Sequence, residues 1–498
     1  MVQKKVLSEV AIDDLAAFCK RKGFVYPSGE IYGGLAGFWD FGPLGVELIA
    51  NLKRAWWQYH VHARNDVAGI DGAIITNPRV WEASGHVANF VDVAVVCKKC
   101  GYKTKVDKHE LKSAKCDKCA GAYENLGEFN PMFTTQVGPV KKDAQVAYLR
   151  PETAQSIFAN FKLVYEQARL KLPCGIAQIG KAFRNEIAPR EFLFRSREFE
   201  QMELEYFIAP HMSCPFMGEV KDVELALYTQ EMQAKEQKAK VLNLFDAWKK
   251  GVIKSDWHAY WLAQELLWFV SLGARVEKFR ARQHTSDEKS HYALDTWDLE
   301  YEFPMGWREL AGLANRGSYD LTEHQKASKG SMAVIVDETK GIKAVPEVVC
   351  EPSLGVGRAF IVFMLESYEH NPQRDNVVLH LHPRLAPYKA AVFPIVKGEE
   401  YESLAQDIVR ELRMEWNVLY DKSGSIGRRY SRNDEVGTPY CITIDESSVK
   451  KKTVTIRDRD TTKQIVVKID ALKNVLRSLI NGELVFEKAG KLVETRVK

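Results

Sequence analysis

A run of alternating residues near the middle of the chain constrains the fold more than any other feature. Residues 175–184 have the pattern of one strand, and residues 197–206 that of a second strand after a polar loop with Pro189. One side of the second strand ends in apolar residues and is expected to face a core. The members of that side are Glu198, Glu200, Met202, Leu204 and Tyr206, and the opposite side carries Arg197, Phe199, Gln201 and Glu203. The pattern predicts an antiparallel hairpin with one open, charged face.

The open face of this hairpin combines a cation, an aromatic ring and carboxylates. Phe199 and Glu203 are four residues apart, which places them about 13 Å apart along a strand. Such a face suits a ligand that has an anionic part, a flat ring and an ammonium group. A solvated hairpin without a ligand is the alternative interpretation.

The composition is that of a globular protein without an extreme charge balance. The chain has 498 residues, a net charge of +4 and a pI near 8.4. This length allows two to four domains, and this charge permits a nucleic-acid partner without requiring one. We expect no membrane span, because no run of about 18 apolar residues occurs. The N-terminus resembles an amphipathic helix and lacks the apolar core of a signal peptide, so we expect a cytoplasmic protein.

Four of the nine cysteines form two closely spaced pairs. Cys97 and Cys100 make one CxxC unit, and Cys116 and Cys119 make a second one fifteen residues later. Two such pairs can close a tetrahedral thiolate site for Zn²⁺ with no open position, which predicts a structural role. Free surface thiols are the alternative. The CxxC pairing also favours a reducing compartment over a disulfide scaffold.

Three further regions have clear patterns. From about residue 210 to 282 the chain is heavily charged, and it predicts one or two solvated helices followed by a buried one near Trp257 and Trp268. After a polar boundary near Pro372, strand and helix signals alternate, which predicts an α/β unit. An earlier helix is predicted from Pro43, with Val46, Ile49, Leu52 and Trp56 on its apolar side.

Several motifs resemble those of the class II aminoacyl-tRNA synthetases. FRNE, the polar loop and FRSREFEQME resemble motif 2, and most closely that of the dimeric glycyl type. GEIYGGLAGFWDFG with the following helix resembles motif 1, whose helix packs at a dimer interface, and EPSLGVGR resembles motif 3. PRVWEASGHVANF and YLRPETAQSIFANF also match the glycyl type. Ser156 stands where the family usually has glycine, and Val356-Gly357 replaces the usual Ala-Asp.

The resemblance implies an α+β fold. It consists of an antiparallel catalytic sheet flanked by helices and a C-terminal α/β domain that binds anticodons. The catalytic domain would span residues 1–372, with a cysteine-rich insertion at 91–130 and a helical insertion at 210–285. The anticodon-binding domain would span 373–498. The implied reaction is ATP-dependent activation of glycine and its transfer to tRNA(Gly), with Mg²⁺ as cofactor and a homodimer as the assembly.

The resemblance also implies which residues act on ATP. Arg184, Arg358 and Glu309 would be catalytic: Arg184 on the α-phosphate and the substrate carboxylate, Glu309 on Mg²⁺, and Arg358 over the nucleotide. Phe199 would stack on adenine, Glu186 would read its amino group, and Arg195 and Arg197 would hold the triphosphate. The full set implied for ATP is Arg184, Asn185, Glu186, Phe194, Arg195, Ser196, Arg197, Glu198, Phe199, Glu309, Leu310, Gly355, Val356, Gly357 and Arg358.

The implied glycine site is rich in carboxylates. Glu152, Glu203 and Glu351 would attract the ammonium and fill the space of a side chain, with Arg316 balancing their charge. The implied set is Lys105, Glu152, Phe199, Glu200, Gln201, Met202, Glu203, Arg316, Glu351, Pro352, Ser353, Leu354 and Gly355. In the C-terminal domain Arg428, Arg429 and Arg432 would contact tRNA. His86 is expected to be structural.

Two alternatives remain at this level. A synthetase-like RNA- or DNA-binding accessory protein would lack the ATP-binding arginines and carboxylates, whereas Arg184, Glu309 and Arg358 are all present. A class II enzyme of the prolyl or threonyl type would differ in the pocket for the amino acid.

Overall fold

The computed structural model describes residues 10–106, 111, 114–140, 144–286, 288, 293–337, 339–371 and 376–493. The polar boundary expected near Pro372 and the first nine residues of the N-terminal segment therefore lie outside the described residues. Within the described ranges no helix is both long enough and apolar enough to cross a membrane.

A nine-stranded sheet forms the centre of the larger part of the molecule. Its strands in spatial order are Lys240–Asn243, Glu224–Tyr228, Phe279–Gln283, Asp295–Phe303, Gly306–Asn315, Glu347–Gly355, Glu198–Ile208, Cys174–Phe183 and Val67–Ile70. Neighbours run antiparallel except for two parallel pairs, one at the Val67–Ile70 edge and one between Glu224–Tyr228 and Phe279–Gln283. The predicted antiparallel catalytic sheet is therefore confirmed.

The predicted hairpin lies next to the Val67–Ile70 edge of this sheet. Cys174–Phe183 pairs with Glu198–Ile208 over ten residues, from Cys174 opposite Phe207 to Phe183 opposite Glu198. Met202, Leu204 and Tyr206 are fully buried in the main hydrophobic core, as the alternation predicts. The opposite side of the strand carries Phe199, Gln201 and Glu203 and forms the floor of a cleft.

Helices cover both faces of the sheet. The main core contains side chains of Pro43–Trp57, Asp256–Ser271 and Val356–Ser367, whereas Ala154–Gln167 and Tyr319–Ser328 pack on the other face. The remaining helices of this part are Ile12–Lys22, Pro78–Ala83, His86–Asn89, Gln230–Ala234 and Leu244–Lys249, and Gln58–His62 continues the Pro43 helix as a π-turn. Ile49, Leu52 and Trp56 are buried as predicted, but Val46 is 52% exposed.

The prediction of one or two solvated helices across residues 221–250 is wrong. This region contains the strands Glu224–Tyr228 and Lys240–Asn243, which extend the central sheet, and only two short helices. Buried Leu225 and Leu227 alternate with more exposed neighbours, which is the two-residue period of a strand. The buried helix predicted near Trp257 and Trp268 is present at Asp256–Ser271.

Smaller sheets complete this part of the chain. The two cysteine pairs lie beside a three-stranded sheet of Asp92–Cys97, Lys103–Val106 and Tyr123–Phe129. A second one contains Ile75–Thr76, Gln145–Leu149 and Thr134–Val137. Three hairpins pair Val25–Pro27 with Trp39–Phe41, Val334–Asp337 with Ile342–Ala344, and Tyr368–Asn371 with Asn376–Leu379.

The C-terminal part is an α/β unit with its own core, as predicted. Its sheet runs Val418–Tyr420, Ala390–Pro394, Tyr440–Ile444, Thr453–Asp458, Gln464–Lys468 and Lys491–Leu492, parallel over the first three strands and antiparallel beyond. Its helices are Glu399–Arg413, Ile426–Glu435, Glu446–Lys451 and Ile469–Asn481.

Candidate active site

A cleft opens over the central strands on the face that carries Phe199. The cleft is partly open to solvent and has a cavity volume of about 160 Å³. The lining residues include Arg184, Glu186, Phe194, Arg195, Ser196, Phe199, Glu200, Gln201, Glu309, Leu310, Ser353, Gly355, Gly357 and Arg358. Fourteen predicted site residues from three separate segments therefore meet in one place.

Arg184 lies between two aromatic rings at the edge of this cleft. Its guanidinium carbon is 5.5 Å from the ring centre of Phe199 and 5.6 Å from that of Phe90. Its Nε donates to the carbonyl oxygen of Pro151 at 2.9 Å. Because stacking and one hydrogen bond hold the planar group, its remaining donors are preorganised for an anionic ligand.

The loop arginines pair with protein groups. Arg195 donates through Nε and Nη2 to Glu186 Oε2 at 2.9 and 2.7 Å, and Arg197 Nε donates to the carbonyl of Glu186 at 2.8 Å. Lys105 Nζ is 2.7 Å from Asp92 and 3.8 Å from Glu186. Lys105 was predicted to bind glycine together with Glu152, Glu203 and Glu351. It lies instead beside the Glu186–Arg195 pair.

Arg358 and Glu309 face each other across the opposite side of the cleft. Arg358 Nη1 is 3.1 Å from Glu309 Oε1, and its guanidinium lies 4.5 Å from the ring centre of Phe194. The charge of Arg358 lowers the pKa of Glu309, which favours the ionised form of this half-exposed carboxylate.

Glu203 lies at the floor of the cleft and is held by many donors. It is 2% exposed. The main-chain N–H of Thr153 donates to its Oε2 at 2.9 Å, and the Thr153 hydroxyl also contacts this oxygen. Ser353 Oγ and Gln201 Nε2 donate to its Oε1 at 2.6 and 2.8 Å. Burial and the charge of Glu152 raise the pKa of Glu203.

Glu351 is the second carboxylate of the floor and pairs with a buried arginine. Arg316 Nη1 contacts both oxygens of Glu351 at 3.1 and 2.9 Å, and its other donors hold Asp320 at 2.7 and 2.9 Å. Burial raises the pKa of Glu351 to about 8 although Arg316 opposes this, and Glu203 and Glu152 add to the rise. An ammonium placed among these groups would favour their ionised forms.

Glu152 is the third carboxylate and lies just before the helix Ala154–Gln167. Gln155 Nε2 donates to its Oε1 at 3.3 Å, and His86 Nε2 is 3.3 Å from its Oε2. Burial alone would raise the pKa of Glu152, but His86, Arg316 and Arg184 outweigh burial and lower it. The three expected carboxylates are therefore brought together, each less than 9% exposed.

Several members of this cluster were not predicted from the sequence. Thr153 contacts Glu203, Gln155 and His86 contact Glu152, and Asp320 contacts Arg316. The expectation that His86 is structural stays a prediction. Glu205 continues the strand beyond Glu203 and is fully buried. Burial and the charge of Glu351 raise its pKa well above the ordinary value. The sequence could have indicated Glu205, because it lies two residues after Glu203 and therefore on the same face of the strand.

Some predicted site residues turn their side chains away from the cleft. Met202, Leu354 and Val356 pack in the main core at the back of the sheet, so only their main-chain atoms can face a ligand. Glu198 pairs with Lys181 at 2.8 Å on the same side of its strand as Met202, where strand alternation directs it away from the cleft. Glu200 pairs with Lys53 at 2.8 Å but still contributes to the lining of the cleft.

The four cysteines come together at the tip of the cysteine-rich region. All four Sγ atoms lie within 4.8 Å of one another. The Cys97–Cys119 and Cys100–Cys116 sulfur atoms are 3.4 and 3.6 Å apart. A tetrahedral ion with Zn–S bonds of about 2.3 Å separates its sulfur ligands by about 3.8 Å, so the cluster is compatible with Zn²⁺.

The three predicted RNA-contacting arginines differ in their availability. Arg428 is exposed, and Arg432 pairs with Asp421 at 2.6 Å while remaining 47% exposed. Arg429 is 6% exposed and donates to the carbonyl groups of Pro394 and Gly424. The prediction that Arg429 contacts RNA is therefore corrected: its guanidinium joins a helix to neighbouring loops inside the domain.

Comparisons with known proteins agree with this arrangement. Residues 389–479 match the family model described as the anticodon binding domain. The chain is 40% identical over 467 residues to a glycine–tRNA ligase of Treponema denticola, covering 92% of this chain and 94% of that one. It is 42% identical to that of Clostridium kluyveri and 40% identical to that of Streptomyces coelicolor, in each case over 95% of this chain and 99% of the relative. With such identity along nearly the whole length and a class II synthetase fold, the chain belongs to the glycine–tRNA ligase family.

Proposed function

We propose that this protein joins glycine to tRNA(Gly) in two steps at the cleft, with ATP as the energy source. The observation that supports this most strongly is the meeting of three buried carboxylates with the arginine-lined cleft. The carboxylates suit an amino acid's ammonium group, and Arg184 and Arg358 suit a nucleotide's phosphates. Because the carboxylate cluster adjoins the arginine-lined cleft, one bound amino acid and one bound ATP could lie close enough to react.

In the first step, the glycine carboxylate attacks the α-phosphorus of ATP and pyrophosphate leaves. Arg184 binds the α-phosphate and the attacking carboxylate, which brings the two anions together and stabilises the charge of the transition state. Arg358 binds the nucleotide from the other side, and Glu309 would hold Mg²⁺, which neutralises phosphate charge. In the second step a hydroxyl at the 3′ end of tRNA attacks the glycyl carbonyl and AMP leaves.

The choice of glycine follows from crowding. Glu152, Glu203 and Glu351 surround the proposed ammonium position, and a methyl group on the α-carbon would enter space that carboxylates and Ser353 occupy. Overpacking of this kind costs about 1–3 kcal/mol, and it also displaces charged groups from their partners. The glycine site therefore excludes larger amino acids while it holds the ammonium.

Pyrophosphate exchange tests this function directly. We expect glycine to support exchange of radioactive pyrophosphate into ATP, with alanine at least about 10-fold weaker in kcat/KM. Serine and proline serve as additional competitors. Equal exchange with any of these amino acids would overturn the assignment of glycine, and absence of exchange with all of them would overturn the activity.

We also propose that the four cysteines bind one structural Zn²⁺, because their sulfur atoms already have the spacing that the ion requires. Metal analysis of protein purified without chelator should find about one zinc per chain. Replacing Cys97 and Cys116 together with serine should remove the metal and increase proteolysis near residues 97–119. The matched control replaces Cys19 and Cys441, which are buried elsewhere. Metal-free wild-type protein would contradict the proposal.

The division between the two domains is best placed near residue 388. A division at 372 would separate the strands Tyr368–Asn371 and Asn376–Leu379, which pair with each other. Leu379, Leu381 and Leu385 belong to the main core, whereas the C-terminal core begins at Ala390. We propose that residues up to about 388 belong to the catalytic domain and the rest recognises tRNA.

A chain that ends at Tyr388 tests this division. It should retain glycine-dependent exchange, because the cleft is complete, and should lose about 10- to 100-fold in charging of tRNA(Gly), because contacts with the tRNA are removed. Circular dichroism would establish that the shortened chain is folded. Normal charging by a folded chain of this length would contradict the division.

The assembly that we propose is a homodimer. Apolar side chains on the segment from residue 31 to 46 are unusually exposed: Ile31 by 86%, Tyr32 by 89%, Leu35 by 58% and Val46 by 52%. Exposed apolar groups in one region are typical of an interface. A second copy of the chain is the proposed occupant, because this segment is the one that resembles motif 1.

A further inference from the structure

We propose that His86 is a positioning residue that holds the Glu152 carboxylate toward the ammonium group of the amino acid. The inference rests on the proposed function and adds a residue that acts on the substrate through another. His86 lies 66 positions before Glu152 in the chain, and the two side chains meet only in the folded protein.

The His86 imidazole lies between the Glu152 carboxylate and the Ser84 hydroxyl. His86 Nε2 is 3.3 Å from Glu152 Oε2, and His86 Nδ1 is 2.8 Å from the hydroxyl oxygen of Ser84. His86 and Glu152 are both 8% exposed, and Ser84 is 1% exposed. Because Ser84 occupies one ring nitrogen, the other is directed at the carboxylate.

The local chain conformation makes this orientation rigid. Gly85 has φ +82°, a left-handed conformation that turns the chain between two short helices and brings His86 back over Trp81. The two rings pack edge to face with centres 5.3 Å apart. Asn130 Nδ2 donates to the carbonyl oxygen of His86 at 3.0 Å, which fixes the main chain at the same point.

Glu152 depends on this support more than its neighbour Glu203 does. Glu203 is held by a main-chain N–H and by shorter side-chain contacts of 2.6 and 2.8 Å. Glu152 has Gln155 and His86, both at 3.3 Å. Against the effect of burial, His86 contributes most to lowering the pKa of Glu152, ahead of Arg316 and Arg184. Without the imidazole, the carboxylate would be freer to rotate or to take up a proton.

Kinetics of His86→Ala test the inference. We expect the KM for glycine in pyrophosphate exchange to rise about 10- to 100-fold, the range for a lost hydrogen bond to a charged group. The KM for ATP and kcat at saturating glycine should change less than about 3-fold. The imidazole reaches Arg184 indirectly, through an edge-to-face contact with Phe90 at 5.7 Å between ring centres, and Arg184 keeps Phe199 and the Pro151 carbonyl as partners. His86→Gln, which retains an N–H donor, should recover most of the loss. His62→Ala, at an exposed histidine, is the control.

A pH profile separates positioning from general structural support. In His86→Ala the pKa of Glu152 is held less far below its usual range, so the ratio of the variant KM for glycine to the wild-type KM should grow as pH falls toward the usual range of a glutamate, about 4–5. Glu203 and Glu351, whose pKa values burial raises, face the same site in both proteins, so their protonation alters both KM values and largely cancels in the ratio. A variant that only weakens the fold would lower the melting temperature and alter the KM values for ATP and glycine together, without this pH dependence.

The outcomes distinguish this inference from the proposed function. If wild-type protein catalyses glycine-dependent exchange and His86→Ala has an unchanged KM for glycine, the inference about His86 is wrong and the function stands. Joint changes in both KM values that His86→Gln does not rescue would also overturn it. Calorimetric titration of glycine into each variant with the ATP site empty gives a readout that does not require catalysis, and weaker binding to His86→Ala alone supports the inference.

Discussion

Replacing Arg184 with glutamine is expected to reduce glycine-dependent pyrophosphate exchange by about 10²- to 10³-fold, mainly in kcat. A preorganised donor that acts on charge developing in the transition state is worth this much in other active sites. Arg184 is preorganised by stacking between Phe90 and Phe199 and by its bond to the Pro151 carbonyl. Glutamine has a shorter side chain that still ends in a polar amide, but it lacks the positive charge and the planar guanidinium of arginine.

The control for this variant is Arg308→Gln, since Arg308 is exposed and donates to the neighbouring carbonyl of Trp307. Its exchange rate should match that of the wild type. Melting temperatures within a few degrees of the wild type for both variants would confirm that the fold is intact. An Arg184→Gln enzyme with a rate close to the wild type would remove Arg184 from the proposed mechanism.

Replacing Glu203 with glutamine is expected to raise the KM for glycine by about 100-fold and to leave the KM for ATP nearly unchanged. Two effects add in the same direction. The substrate ammonium loses an anionic partner, and the new amide cannot accept hydrogen bonds at both ends from Thr153, Ser353 and Gln201. Each lost hydrogen bond to a charged group costs about 1.5–3 kcal/mol.

Glu224→Gln is the matched control for Glu203→Gln, because Glu224 is an exposed glutamate on the second strand from the far edge of the same sheet. Direct binding of a non-hydrolysable ATP analogue to both variants would show whether the nucleotide site is intact. If Glu203→Gln bound glycine as tightly as the wild type, the carboxylate floor would not be the glycine site.

The sequence predicted elements well where a local period carried the information. The hairpin of Cys174–Phe183 and Glu198–Ile208 is predictable because its apolar residues alternate. The sequence pattern does not show that helices cover both faces of the sheet, so that Glu203 and Phe207 on the other side of the strand are buried as well. The error across residues 221–250 arose because charged residues dominate two short strands at the sheet edge. Leu225 and Leu227 did carry the strand period, but over too few residues to outweigh the helical composition around them.

The sequence predicts site residues where motifs contain them, but it does not show which way a side chain points or which distant residues it contacts. Arg429 is an example of the first: a basic cluster predicts a surface for RNA, yet the helix Ile426–Glu435 turns this arginine inward. Asp320 illustrates the second. It lies one helical turn after Arg316, a spacing visible in the sequence, but only the fold shows that Gln155 links it to Glu152.

The sequence alone determined the cysteine cluster and the chemical types gathered on the open strand face, because each depends on short spacing and residue type. The class of fold was implied by the resemblance of longer motifs to those of the class II synthetases. The tertiary structure decided which of these groups are buried and which are paired. It placed His86 beside Glu152 and turned Met202 and Leu354 into the core. Burial and charge–charge contact depend on residues distant in the chain, and no local period records them.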